Sequence, residues 1–255
     1  MSVIVAPAAA VQSQSVAAEP TAAENAAPDF SARASELMAS FVPRVAQRAE
    51  RAVSRTLFLA GRSRHLIGDD EVWDSAVQIG RGPIELPPVD ALPRAAENLG
   101  AAARSEFGRH GASREVIQLQ ARAFGANPTD AGSASYLAYL LVRQRPAQPE
   151  AARQLALYAL TMRGGRGSTG RPEDWATLAV ANALLGRERE AENALLVSLA
   201  VTPNVERQCR AALDLYATYG ERMRGPAEAM LRTARAGIAP TSAACDWPGW
   251  QATTR

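Results

Sequence analysis

Beyond residue 92, apolar positions gather in windows of about 12 to 16 residues with three- and four-residue spacing, separated by short breaks that carry Gly or Pro. That period belongs to one face of an α-helix. The two-residue alternation of a half-buried strand is essentially missing, so the chain is predicted to be all-α. The same period runs through residues 31–60, where Leu37, Met38, Phe41, Val42, Val45, Ala49, Val53 and Leu57 make one apolar stripe. Pro43 lies within it. Without an N–H, and with a ring that crowds the preceding turn, it is predicted to kink this helix or split off its first turns.

Five segments follow from the pattern. Residues 1–30 are mostly Ala, Pro, Ser, Gln and Glu, with Phe30 the sole aromatic, and such a stretch buries too little surface to offset the entropy of ordering; it reads as a disordered tail. Residues 31–67 form the amphipathic helical segment. Residues 68–91, with Gly80, Gly82, Pro83, Pro87 and Pro88, read as a linker holding at most one short helix over 72–77. Residues 92–240 are the main helical region, and 241–255 form a C-terminal tail containing Trp247 and Trp250. So short a tail cannot bury two tryptophans itself, so they cap the last helical pair or insert into a partner.

The clearest repeating unit contains Trp175, Leu178, Ala179, Gly186, Ala191, Leu195, Ser198 and Pro203, at offsets of 3, 1, 7, 5, 4, 3 and 5. Small residues at Ala179 and Ala191 let two helices approach closely, Trp175, Leu178 and Leu195 fill the space between units, Gly186 permits a tight turn, and Pro203 stops the second helix. The order of large, small and turn positions resembles the tetratricopeptide repeat, a pair of helices in about 34 residues. Ser198 departs from that pattern, where a small apolar residue is usual, and so does Asn182, where an aromatic is common. Weaker copies occupy 92–128 (Leu99, Gly100, Val116, Leu119, Ala123, Pro128), 130–162 (Tyr136, Leu137, Leu140, Ala152, Ala156, Ala159) and 205–240 (Leu213, Tyr216, Tyr219, Ala227, Leu231, Ala234, Pro240). The resemblance implies a short right-handed solenoid of about four antiparallel helical hairpins; an irregular helical bundle is the alternative.

Charge refines this picture. All 28 basic side chains are arginine. Without a primary amine on a flexible stem, Schiff-base catalysis, a phosphate-loop lysine and a kinase-type strand lysine are excluded. The formal charge of +2 is unevenly spread: residues 31–64 hold seven arginines against Glu36 and Glu50. Arg44, Arg48, Arg51 and Arg55 are spaced by four, three and four and share one helix side, which reads as a solvated face or as a docking stripe for an acidic protein or lipid headgroups. Nucleic acid is not expected, because no aromatic residues interleave to stack on bases.

The sequence offers little for catalysis. Gly164-Gly165-Arg166-Gly167-Ser168-Thr169-Gly170-Arg171 has the glycines of a phosphate loop, but Arg171 and Pro172 stand where Lys and Ser or Thr are needed, and a helix precedes it. It reads as a loop between units, with a modest anion site at Arg166 and Arg171 as the alternative. Asp69, Asp70, Glu71 and Asp74 lack the spacing of a calcium loop and suit a helix N-terminus; Glu188, Glu190 and Glu192 read as solvated. His65 and His110 have no credible nucleophile beside them. Cys209 and Cys245 are read as reduced thiols, or as a disulfide pinning the tail if the compartment is oxidising.

These features point to a non-enzymatic scaffold or adaptor, with no catalytic residue, metal or cofactor. A protein or peptide partner is expected. In the family it resembles, a peptide or helix lies in the groove lined by the first helix of each unit, which here implies Ser135, Tyr139, Asn182, Tyr216 and Tyr219. The alternative is a structural subunit of a larger bacterial assembly (secretion, pilus or envelope-associated) that uses the repeats for lateral packing, and a size measurement separates the two. No run of about 18 uncharged apolar residues occurs, so no transmembrane segment is expected, though peripheral membrane contact is compatible with the arginine stripe. The start of the chain lacks the basic flank of a secretory signal, so a cytoplasmic location is expected, with a periplasmic or assembly-associated one if the cysteines are joined.

Overall fold

The structure is a computed structural model, and it describes residues 28–63, 70–165, 167–201 and 217–228. Among the described residues every regular element is helical and no strand occurs. Tyr216, Pro203, Pro240, Cys209, Cys245, Trp247, Trp250, His65, Asp69 and Arg166 lie outside them.

Asp29 starts the first helix, α1 (Phe30–Glu36), its carboxylate accepting from the Ser31 and Ala32 amides at 3.0 and 3.1 Å. A π turn over Leu37–Phe41 follows and leads into α2 (Val42–Arg62). The cause is Pro43. With no N–H to offer the preceding turn, the helix widens by one residue, and the Val42 amide reaches back to the Leu37 carbonyl. Arg44 Nε donates to the Ser40 carbonyl at 3.3 Å in the same disturbed turn. All the apolar stripe positions from Leu37 to Leu57 are buried, except the partly buried Met38.

A short helix, α3 (Asp70–Val77), packs on α2, where the Thr56 and Ser75 hydroxyls meet at 3.0 Å. The stretch after it, read from sequence as a linker, is attached to the body of the protein. Ile79 is 1% exposed within the core, and Ile84 and Val89 rest against it.

Three helical pairs come next: α4 (Pro93–His110) with α5 (Arg114–Ala126), α6 (Ala131–Arg143) with α7 (Pro149–Gly164), and α8 (Pro172–Leu184) with α9 (Glu188–Ala200). Their short connections, at 111–113, 144–148 and 185–187, fold each second helix back beside the first. Local chemistry sets the boundaries. Ser113 and Asp130 cap α5 and α6, and prolines occupy the first turn of α4, α7 and α8, where a missing N–H costs nothing. Gly186, at φ 76°, turns α8 into α9 in a conformation a side chain would disfavour. The pairs touch in succession, α5 on α6 and α7 on α8, while α6 also meets α8.

One hydrophobic core runs from the N-terminal helices through α6, α7, α8 and α9 and takes in Phe124 of α5, while the buried Ala96 and Ala103 of α4 lie outside it. α1 lies on α5, and α2 lies on α7 and α9. At the first crossing the backbones nearly touch: a Cβ on Gly125 would strike the Phe30 carbonyl oxygen and lie 3.1 Å from the Ala34 nitrogen. The unit that carries the sequence signature is tightly filled. Trp175, Leu178, Ala179, Ala191 and Leu195 are each at most 1% exposed. Trp175 Nε1 donates to the Thr169 carbonyl at 2.9 Å, so the polar edge of the ring is satisfied. Ser198, the departure from the repeat pattern, donates its hydroxyl to the Pro172 carbonyl at 2.9 Å, tying the end of α9 to the start of α8.

Candidate functional site

A groove of about 660 Å³ lies on the side formed by the first helix of each pair. α4 contributes Arg104 and Phe107, α6 contributes Ser135, Tyr136, Tyr139 and Arg143, and α8 contributes Glu173, Ala176, Thr177 and Val180. Arg163 and Arg171, both at Asp174 by the start of α8, and Tyr219, beside Arg143 at the end of α6, complete its lining. On α6, Tyr136, Tyr139 and Arg143 follow one another at three and four residues, so helix geometry alone aligns them on one face.

Aromatic contacts organise the groove. The Tyr136 and Tyr139 rings stack at 5.9 Å, and Phe107 sits edge-on to both, at 6.2 and 5.8 Å. The Arg143 guanidinium lies 4.8 Å above the Tyr139 ring, and its Nη2 reaches the Thr218 hydroxyl at 3.4 Å. Burial pushes the Tyr136 phenol above its ordinary pKa, with Tyr139 adding to the rise. Burial does the same to Tyr219, while the adjacent Arg143 opposes it. Both phenols are therefore neutral hydrogen-bonding groups at ordinary pH.

The electrostatics are lopsided. Four arginines line the groove against one carboxylate, Glu173. Arg163 is compensated, since its Nε lies 2.7 Å from the buried carboxylate of Asp174, which also accepts from the Arg171 amide at 3.0 Å. The side chains of Arg104 and Arg171 form no ion pair among the described residues. The floor is thus aromatic and aliphatic and the rim cationic.

Of the residues expected in a groove, Ser135, Tyr139 and Tyr219 line this one. Asn182 does not. It is fully buried on the opposite side of α8, where its amide oxygen accepts from Arg153 Nε at 3.0 Å. Tyr216 lies outside the described residues. Arg104, Phe107, Tyr136, Arg143 and Arg171 also belong to the groove; the sequence named Tyr136 only as a repeat position and Arg171 only as part of a modest anion site, although the spacing on α6 could have revealed Tyr136 and Arg143 together with Tyr139.

A second polar cluster lies behind the pairs. Arg153, 6% exposed, donates through Nη2 to Glu50 of α2 and has Glu190 of α9 at 3.9 Å; Arg187 lies 3.9 Å from Glu50 and 3.7 Å from Glu190. This cluster joins α2, α7, α8 and α9. Its charged members compensate one another, which marks it as a fastening, while the buried Asn182 Nδ2 has no hydrogen-bond partner among the described residues.

Other groups singled out in the sequence stay apart. Asp70 and Glu71 occupy the first turn of α3, and exposed His110 pairs with Glu106 of its own helix at 3.4 Å. Among the described residues no three His, Cys, Asp or Glu side chains converge as a metal site would require, and no helix is long and apolar enough to cross a membrane. Comparison with known proteins gives no match: no family model, no curated protein and no solved structure is similar to this chain.

Proposed function

We propose that this chain is a non-enzymatic adaptor, a short solenoid of tetratricopeptide-like helical pairs that holds a segment of a partner protein in the groove along α4, α6 and α8. One observation supports this reading above others: a preformed concavity that combines the Phe107, Tyr136 and Tyr139 ring cluster with a rim of arginines. The rings accept apolar side chains, and the arginines and neutral phenols hold carboxylates and backbone carbonyls. Because the floor is packed before the partner arrives, little ordering entropy opposes binding. The order of Trp175, Leu178, Ala179, Gly186, Ala191 and Leu195 supports the repeat character of the stack.

Selection from a displayed random-peptide library tests the proposal. Peptides that bear apolar and acidic residues are expected to be enriched, and to lose at least about tenfold in affinity when Tyr139→Ala and Arg143→Ala are combined. No enrichment, or equal binding by the double variant, overturns it.

A further inference from the structure

α2 presents a second surface that the groove reading leaves unused. Around this helix, Arg44, Arg48, Arg51, Arg55, Phe58 and Arg62 recur at three and four residues and fall along a single line, opposite the buried row of Val45, Ala49, Val53 and Ala60. The line is about 27 Å long at 1.5 Å per residue. Glu50 is the only acid in α2, and it is turned aside into the Arg153 cluster, so it does not neutralise the row. Glu85 lies 3.8 and 3.5 Å from Arg44 and Arg48 at one end. Arg51, Arg55 and Arg62 form no ion pair among the described residues. Phe58 stands in the row with 58% exposure, and the Arg62 guanidinium lies 5.4 Å from its ring.

We propose that this face docks on an anionic phospholipid bilayer. The row lies along one side of a single helix and is uniform in charge, and the recess of about 210 Å³ beside it, lined by Arg48 and Glu85, adjoins its first half and leaves Arg51, Arg55, Phe58 and Arg62 outside. A partner protein would have to match five fixed cations with five placed acids, whereas mobile anionic lipids gather under any spacing. The single exposed ring suits the headgroup boundary, and the guanidinium beside it stays hydrated or on phosphate. The apolar face of α2 is committed to the core, so the helix lies against the membrane without inserting. Attraction is therefore electrostatic and strongly salt-dependent.

Sedimentation of the full chain with vesicles tests this, using phosphatidylcholine mixed with phosphatidylglycerol, against phosphatidylcholine alone. Binding is expected to the mixed vesicles only and to fall as NaCl rises. Each arginine removed is expected to weaken it about fivefold, so Arg51→Gln with Arg55→Gln costs about 25-fold. Both side chains are exposed and form no ion pair among the described residues, so the circular dichroism of this variant is expected to match the parent. Phe58→Ser gives a smaller loss at every salt concentration. Equal binding to neutral vesicles, an unweakened double variant, or binding to soluble polyglutamate with none to anionic vesicles would each overturn the proposal. A failed peptide selection leaves it standing, because it uses neither the groove nor its residues.

Discussion

The side of the helical pairs formed by α5, α7 and α9 is covered by α1 and α2, whereas the side formed by α4, α6 and α8 carries an open groove that Tyr219 also lines. Both sides contain arginine, and its treatment differs. Arg153 at the back is 6% exposed and is shared among Glu50, Glu190 and Asn182. Arg143 in the groove has a ring beneath it and a hydroxyl beside it but no carboxylate among the described residues. Charge is closed off where helices must stay together and left available where another molecule can reach it. Backbone spacing follows the same division, with helices touching at Gly125 on the back and side chains bridging a gap on the front.

This contrast can be broken first at Gly125. A side chain there meets backbone that cannot rotate away, so Gly125→Leu is expected to cost about 3 kcal/mol, the upper part of the range for overpacking. Urea denaturation measures it; a change below about 0.5 kcal/mol would show that α1 is not held tightly on α5.

A smaller difference is expected between the two kinds of arginine environment. Glu50→Gln removes the main partner of a buried guanidinium and is expected to cost about 2 kcal/mol, below the usual loss for a buried pair because Glu50 is 43% exposed and Glu190 remains. Arg143→Ala, on the other side, is expected to cost no more than about 1 kcal/mol. A double-mutant cycle on Glu50 and Arg153 isolates the back-side coupling. Equal losses at the two sites would erase the distinction.

The smallest effect is a pH slope. Tyr158, packed between Phe41 and Phe124, donates to the Pro128 carbonyl at 2.8 Å, and burial pushes its phenol well above the usual value. Its folded pKa is raised, so its contribution is fully present below the unfolded value of about 10 and is lost as pH rises from there toward the folded pKa. Tyr158→Phe is expected to cost about 1 kcal/mol at neutral pH and to flatten that alkaline decline. Some slope remains from Tyr136 and Tyr219. Thermal melts from pH 8 upward, roughly spanning the tyrosine range, measure it.

Helix periods and punctuation were readable because they are local. The stripe from Leu37 to Leu57 announced a buried face, and Pro43 announced a disturbance next to it. What covered that face was not readable, since the stripe states that a partner exists without naming α5, α7 and α9. Asn182 shows the same limit in the groove. The α8 lining residues Glu173, Ala176, Thr177 and Val180 share a face, and Asn182, two positions past Val180, points about 200° away from it. Choosing it required knowing which side of α8 meets α7. Glu190 was read as solvated because its partner Arg153 lies 37 residues earlier in sequence, a pairing that no periodicity encodes. Tyr139 and Ser135 lie on the groove-lining face of α6, an orientation that their place on a first helix did not by itself fix.

The widened turn before Pro43 sets the phase of everything upstream. One residue fewer between Leu37 and Phe41 would leave an uninterrupted rod but rotate its first two turns by about 100°. Ala34 would then swing off the crossing at Gly125, and Leu37 would leave its place in the core. The proline thus acts as a clutch: it lets a single continuous rod mesh at one angle with the first pair and at another with the later ones.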